Sequence, residues 1–83
     1  MNDPADLNRI RWRCRRGMLE LDAWLARFLD VTFPNLGEVE QALFEDFLRA
    51  EDDDLYGWLT GRATPPERYS ALVETIKATK VSI

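Results

Sequence analysis

Gly17 divides the first part of the chain into two segments of opposite character. The segment before it is rich in arginine, at Arg9, Arg11, Arg13, Arg15 and Arg16. The segment after it is apolar at helical spacing, at Met18, Leu21, Leu25, Phe28 and Leu29. A glycine at the end of a helix adopts the left-handed conformation without steric cost. The sequence therefore predicts two helices that meet at Gly17, the second beginning near Met18 or Leu19.

The first helix has two faces of different chemistry. It is expected to begin at Pro4, with Asp3 as its N-cap, and to continue to about Arg16. At about 100° per residue, the core face consists of Leu7, Ile10 and Cys14. The opposite face consists of Arg9, Trp12, Arg13 and Arg16. A solvated charged face is the default for such a stripe, but the tryptophan in the same sector and the absence of acids at i±4 of Arg9 and Arg13 favour a surface for a partner.

Three further helices are predicted, each with its own boundary signals. The third follows an Asn35–Glu38 capping pair and continues to about Ala50. The fourth covers about 53–60 and stops at Gly61, and the fifth continues to about Lys80. Thr64-Pro65-Pro66-Glu67 predicts the start of the fifth as a capping box. Residues 31–34 are expected to form an extended linker, because no second strand is available for pairing.

The apolar positions of these helices predict the rest of the core. The expected buried residues are Trp24 (at least half), Val39, Leu43, Phe44, Phe47, Leu48, Leu55, Trp58, Leu59, Tyr69, Leu72, Val73 and Ile76. With connections of a few residues each, the fold class is all-α, a compact bundle of about five short helices. The 83 residues are expected to form a single domain, 1–83.

Nothing in the sequence indicates a catalytic centre. The chain contains no histidine, and Cys14 is its only cysteine. This excludes the usual zinc ligand sets, a Cys–His nucleophile pair and an intramolecular disulfide. Because Cys14 lies on the core face, a buried and inert thiol is expected. The acidic run at 51–54 lacks the ligand spacing of a calcium loop, so a solvated helix cap is expected there.

Charge is spread unevenly along the chain, whose net charge is −4. Residues 9–16 carry arginines and no acid, whereas residues 38–54 are rich in acids. A basic helix on an acidic protein suggests a local docking surface and makes a small nucleic-acid binder the weakest alternative. No apolar run approaches the roughly 20 residues that span a bilayer, and the N-terminus is unlike a secretory signal. A cytoplasmic protein without membrane insertion is therefore expected.

Two segments together resemble a known family. The first is Ile10-Arg11-Trp12-Arg13-Cys14-Arg15-Arg16-Gly17-Met18-Leu19-Glu20-Leu21-Asp22, and the second is Asp54-Leu55-Tyr56-Gly57-Trp58-Leu59. The first resembles the signature of the small flavinylation factors, called SdhE in bacteria and succinate dehydrogenase assembly factor 2 in mitochondria. The second resembles that family's other block, an acidic run followed by Leu-x-x-Trp-Leu. The resemblance extends from about Leu7 to Leu59.

The resemblance implies a binding protein that is not itself an enzyme. Members of the family bind the flavoprotein subunit of succinate dehydrogenase, and in bacteria that of fumarate reductase. They promote covalent attachment of FAD to a histidine of that subunit. FAD is then implied through the partner, with no cofactor bound stably by this chain, which is expected to be a monomer when free. Some family members are described as antitoxins that counter a membrane-associated toxin, and this role is the alternative.

The expected partner-binding surface combines the arginine face with the signature. Its residues are Arg9, Trp12, Arg13, Arg16, Gly17, Met18, Glu20 and Asp22. Several of them also have a structural interpretation that stays open from the sequence. Gly17 ends a helix, Met18 has the spacing of a core residue, and Glu20 is a first-turn acid favoured by the helix dipole. Asp22 either caps backbone groups or pairs with an arginine. The fold is expected to survive alanine at Arg9, Arg13, Arg16 or Glu20.

Overall fold

The computed structural model describes residues 4–79, with side chains from Asp6 onward. Its helices are α1 (Pro4–Arg13), α2 (Leu19–Val31), α3 (Glu38–Phe47), α4 (Asp52–Thr60) and α5 (Glu67–Ala78), with a single 3-10 turn at Phe33–Asn35 between α2 and α3. No strand occurs in residues 4–79, and the all-α class is confirmed. None of the helices described is long and apolar enough to cross a membrane.

Aromatic side chains form the centre of the core. Phe44 of α3 contacts Phe28 of α2, with ring centroids 4.8 Å apart, and Phe33 of the 3-10 turn at 5.6 Å. Phe47, one turn further along α3, meets the edge of Tyr69 of α5 at 5.3 Å. Such tilted and edge-to-face pairs are the arrangements that aromatic rings prefer. These contacts join α2, α3 and α5 around one apolar centre.

Buried polar groups of the core have hydrogen-bond partners. Trp24 donates its Nε1 proton to the carbonyl oxygen of Ile76 at 2.9 Å, which connects α2 to α5. Gln41 is buried and donates through Nε2 to the carbonyl oxygen of Phe33, also at 2.9 Å. A buried polar group without a partner would destabilise the fold, so these bonds fix where the 3-10 turn and α5 lie.

The segment between α2 and α3 differs from the prediction. An extended linker over 31–34 is wrong, because Val31 ends α2 and Phe33 is fully buried within the 3-10 turn. Asn35 does not cap α3, since its side chain donates to the carbonyl oxygen of Val31. Gly37 is the N-cap of α3, and its N–H donates to Glu40 Oε2 at 3.0 Å. Because Phe33 packs against Phe44, the 3-10 turn lies against the core.

The predicted core is confirmed in α2 and α5 and needs one correction in α3. Val39 is 79% exposed, so its predicted burial is wrong. It stands five residues before Phe44, roughly 140° around the helix, and therefore lies away from the buried face. Gln41 takes an interior position instead. Leu43 and Trp58 are partly buried and pack against the core.

The predicted helix ends are confirmed in part. Gly61 has φ +81° and ends α4, as expected. The capping box at Thr64 is wrong, because α5 begins at Glu67 with Pro66 as its N-cap. A residue that precedes proline disfavours the helical conformation, so Pro65 cannot open the helix ahead of Pro66. The α5 helix ends at Ala78, and the predicted Asp3 cap and the end at Lys80 lie outside the described residues.

Candidate functional site

The connection between α1 and α2 is fixed by the carboxylate of Asp22. This residue lies in the first turn of α2, and its Oδ1 accepts a hydrogen bond from the backbone N–H of Arg16 at 2.7 Å. Its Oδ2 accepts from the N–H of Gly17 at 3.3 Å. Asp22 therefore binds backbone N–H groups of the connection and is not the helix cap, since the N-cap of α2 is Met18. The carboxylate holds the backbone of Arg16 and Gly17 in one conformation.

Arg16 is directed inward. Its side chain is only 15% exposed, and Nε donates to Asp52 Oδ1 at 2.7 Å. Nη1 and Nη2 donate to the carbonyl oxygens of Leu48 and Ala50 at 2.8 and 2.6 Å, just past the end of α3. A cation at these carbonyls is favourable because they carry the negative end of the helix dipole. Arg16 thus joins the α1–α2 connection to the α3–α4 connection.

The predicted placement of Arg16 on an exposed face is wrong. That prediction extended the helical projection to position 16, but α1 ends at Arg13, so Arg16 leaves the face that carries Arg9 and Trp12. Loss of this side chain is therefore expected to cost more stability than loss of an exposed arginine. Removing it would leave three carbonyl groups, of Arg13, Leu48 and Ala50, and the Asp52 carboxylate without this donor.

One acid of α3, Glu45, neutralises part of the arginine face. Glu45 Oε1 lies 3.8 Å from Arg9 Nη2 and 3.7 Å from Arg13 Nη1. Arg13 Nη2 also donates to the backbone carbonyl oxygen of Glu45 at 2.8 Å. The sequence shows no acid at i±4, but the fold supplies one from 32 residues away. Arg9 stays exposed, whereas Arg13 is partly buried and contributes to packing between α1 and α3.

Trp12 is 68% exposed, which confirms the prediction for its ring. The guanidinium of Arg15 lies 5.0 Å from the centroid of the indole, a cation–π contact. Leu19, the first residue of α2, is 89% exposed. Neither Arg15 nor Leu19 was among the predicted site residues. Leu19 gives a signal in the sequence, because it is apolar yet lies off the stripe of Leu21 and Leu25.

Gly17 lies in the connection between α1 and α2 and has a positive φ. The value is +82°, in the region that favours glycine, but the helix-stop interpretation is wrong, because α1 ends at Arg13, four residues earlier. Among the described residues, no heavy atom outside its chain neighbours lies within 4 Å of where a Cβ would stand. The space over this residue is therefore open to another molecule. Met18 is partly buried and packs against the core, and Glu20 is exposed and accepts a hydrogen bond from the Tyr56 hydroxyl at 3.5 Å.

Cys14 is unsuited to nucleophilic chemistry. It is only 1% exposed, and burial raises the pKa of its thiol from 9.0 to about 12, against the opposing effect of Arg11, Arg16 and Arg13. The thiol is therefore protonated near neutral pH, as the sequence predicted for an inert core residue. In residues 4–79, no group of three or more histidine, cysteine, aspartate or glutamate residues is arranged to hold a metal ion.

Comparison with known proteins gives a consistent result. The model of the family Sdh5, described as flavinator of succinate dehydrogenase, matches residues 8–80. The FAD assembly factor SdhE of Xylella fastidiosa (strain 9a5c) is 43% identical over 79 residues, which cover 94% of this chain and 81% of that protein. The FAD assembly factor SdhE of Coxiella burnetii is 48% identical over 65 residues, covering 78% and 79%. No solved structure gives a significant match.

Proposed function

Because the chain belongs to the family of flavinators of succinate dehydrogenase, we propose that it binds the flavoprotein subunit of that enzyme and promotes covalent attachment of FAD to it. The observation that carries the proposal is the geometry of residues 16–20, called here the signature segment. Its glycine is open to solvent, and its backbone is held by Asp22 and Arg16. A segment ordered before binding loses little conformational entropy when a partner docks.

The proposed role is that of an assembly factor without a catalytic group of its own. In the reaction implied by the family, FAD becomes attached to a histidine, and this chain contains none. The histidine therefore belongs to the flavoprotein, and so does the site that holds FAD. The factor acts by binding one conformation of the flavoprotein more tightly than others, which shifts the population toward that conformation.

The proposed function also includes an oligomeric state, a location and a second client. We expect it to be a monomer when free and to act in the cytoplasm, where a flavoprotein subunit is available before it joins its complex. The flavoprotein subunit of fumarate reductase is a second proposed client. Residues of the signature segment, with Trp12 and Arg9 on α1, form the proposed contact surface. Arg16 and Asp22 contribute by positioning that segment.

Deletion of the gene tests this function directly. The flavoprotein subunit is purified from the deletion strain, and flavin that survives denaturation is measured by fluorescence. We expect covalent flavin to fall sharply and to return when the gene is restored. The same strain distinguishes the antitoxin alternative, since that role predicts normal covalent flavin and a defect in cell division. Unchanged covalent flavin in the deletion strain would contradict the proposal.

A further inference from the structure

We propose that the groove between α1 and α2 binds a segment of the flavoprotein in which an apolar side chain stands next to a carboxylate. This inference rests on the proposed function and names the chemistry of the partner surface. The α1–α2 groove has a volume of about 350 Å³. Buried Cys14 lies at its base, Ala23 and Ala26 line the α2 side, and Leu19 and Arg15 stand exposed at its edge.

A second depression continues this surface along α1. It has a volume of about 210 Å³, is bordered by Trp12, and shares Arg11 and Arg15 with the groove. Trp12 and Leu19, two of the most exposed large apolar side chains of the described residues, thus border one surface. Exposed apolar side chains rimmed by charges mark interaction sites, and tryptophan and arginine are frequent anchors of interfaces.

The charges of the groove indicate what kind of partner fits. Arg15 is stacked on Trp12, and among the described residues no carboxylate pairs with its guanidinium. Arg11 is already paired with Asp30, at 2.7 Å. Asp22 also lines the groove, but its oxygens accept N–H groups from within the chain. Arg15 therefore offers its charge to an incoming carboxylate, while Leu19 and the alanines offer apolar contact.

The groove is continuous with the proposed docking segment. Leu19 itself belongs to the signature segment, between Met18 and Glu20, so a partner that covers Gly17 reaches the groove without a gap. A second copy of this chain is a poorer occupant. A two-fold contact between identical grooves would bring Arg11 and Arg15 of one copy toward those of the other, and like charges oppose such an interface.

The test compares two matched substitutions, Leu19→Asp and Val39→Asp. Both replace an exposed apolar side chain in the first turn of a helix, where an aspartate favours the helix dipole, so both proteins should fold. Affinity is measured by titration calorimetry against the purified flavoprotein subunit of succinate dehydrogenase from the same organism. We expect Leu19→Asp to raise Kd about 30-fold, as for loss of an interface anchor, and Val39→Asp to leave it within about twofold.

A charge reversal gives a second measurement. Arg15→Glu should weaken binding more than Arg15→Ala, because it places a negative charge against the partner's carboxylate as well as removing the pairing. Equal affinity of these two variants would overturn the assignment of a carboxylate to the partner. Circular dichroism on all four variants confirms that each remains helical.

The remaining outcomes separate this inference from the proposed function. Normal binding by Leu19→Asp with lost binding by Gly17→Arg would overturn the groove and leave the proposed function standing. Normal binding by both would overturn the groove and the docking role of Gly17, whereas failure of the unmodified protein to bind would contradict the proposed function. An equal rise of Kd in Val39→Asp would show that the added negative charge alone weakens binding. That result would overturn the assignment of the groove as a binding site. Sedimentation of the free protein tests the other occupant, since a dimer that Leu19→Asp dissociates would assign the groove to a second copy.

Discussion

Arg16 pairs with Asp52 across 36 residues of sequence, with 2.7 Å between Nε and Oδ1. The same guanidinium donates to the carbonyl oxygens of Leu48 and Ala50. These contacts fix the backbone that precedes Gly17, so Arg16 is a structural residue of the connection. The acidic run at 51–54, expected from the sequence to be a solvated cap, supplies one of its acids to this contact.

Arg16→Ala is expected to lower the free energy of unfolding by about 2 kcal/mol, because hydrogen bonds from a charged donor are lost and buried carbonyl groups keep no partner. Arg16→Lys should recover only part of this, since an ammonium group lacks the planar fork. The control is Arg9→Ala, whose exposed ion pairs are worth at most about 0.5 kcal/mol. Urea unfolding measures all three, and equal stability of Arg16→Ala and Arg9→Ala would contradict the account.

Asp22→Ala should destabilise the protein by about 1 kcal/mol, as for the loss of a typical hydrogen bond, because the N–H groups of Arg16 and Gly17 lose their acceptor. Asp30→Ala removes an acid from the other end of α2, where it pairs with Arg11 on the surface, and should change stability by less than about 0.5 kcal/mol. Thermal unfolding compares the two. A greater loss of stability in Asp30→Ala would show that the bonds from the Arg16 and Gly17 N–H groups to Asp22 do not stabilise the α1–α2 connection.

Stability should decline between about pH 9 and 12 because of Cys14. Its thiol has a pKa raised by burial from 9.0 to about 12, so in this interval the unfolded chain has released a proton that the native protein retains. Raising the pH then favours unfolding, by up to about 1.4 kcal/mol per pH unit for one group. Urea unfolding across this range should show a shallower decline in Cys14→Ala.

Some alkaline decline should persist in Cys14→Ala. Burial and the hydrogen bond to Asp46 raise the pKa of Tyr69, which acts in the same direction. The measured quantity is therefore the difference in slope between the two proteins, which does not depend on the stability lost to the smaller side chain. Identical slopes would contradict a buried, protonated thiol at position 14.

Glu20→Ala should speed dissociation from the flavoprotein about tenfold, because a close polar contact at the interface would be left unpaired. The fold should be unaffected, since the bond from Tyr56 is long, at 3.5 Å, and exposed. Glu38→Ala is the matched control, as it removes an exposed first-turn acid from α3. Surface plasmon resonance measures both dissociation rates. Equal rates in the two variants would remove Glu20 from the contact surface.

Helical periodicity predicted most of the core, because burial of one face repeats locally along each helix. The stripes of α2 and α5 are buried as expected, Trp12 of α1 is exposed, and Cys14, just past the end of α1, is buried. Positive φ at Gly61 followed from glycine at the end of a periodic segment, whereas Gly17 has its positive φ in the connection beyond the end of α1. These features depend on neighbours within a few residues, which a sequence displays directly.

The features that could not be predicted depend on distant residues. The Arg16 side chain reaches Leu48, Ala50 and Asp52, between 32 and 36 positions away, and the acid facing Arg13 comes from α3. Phe33 packs against Phe44 of α3 in the core, and no local sequence pattern indicates this contact. The sequence therefore suggests candidate residues for the site, but the division between positioning residues and exposed ones required the structure.

The central claim, that an exposed Gly17 receives the flavoprotein, is tested by comparing two glycines. Gly17 and Gly61 have φ of +82° and +81°, and at neither does a described atom beyond the chain neighbours lie within 4 Å of where a Cβ would stand. Gly17→Arg and Gly61→Arg should each lose about 1 kcal/mol of stability through the left-handed backbone alone. Only Gly17 lies in the signature segment.

The decisive measurement is covalent flavin formed when apo flavoprotein of succinate dehydrogenase is incubated with FAD and each variant. Flavin fluorescence of the denatured flavoprotein gives the amount bound, and circular dichroism confirms that both variants are folded. We predict that Gly61→Arg supports flavin attachment as the unmodified protein does, while Gly17→Arg supports little more than a reaction without the factor. Full activity of folded Gly17→Arg, or equal loss in both variants, would contradict the account.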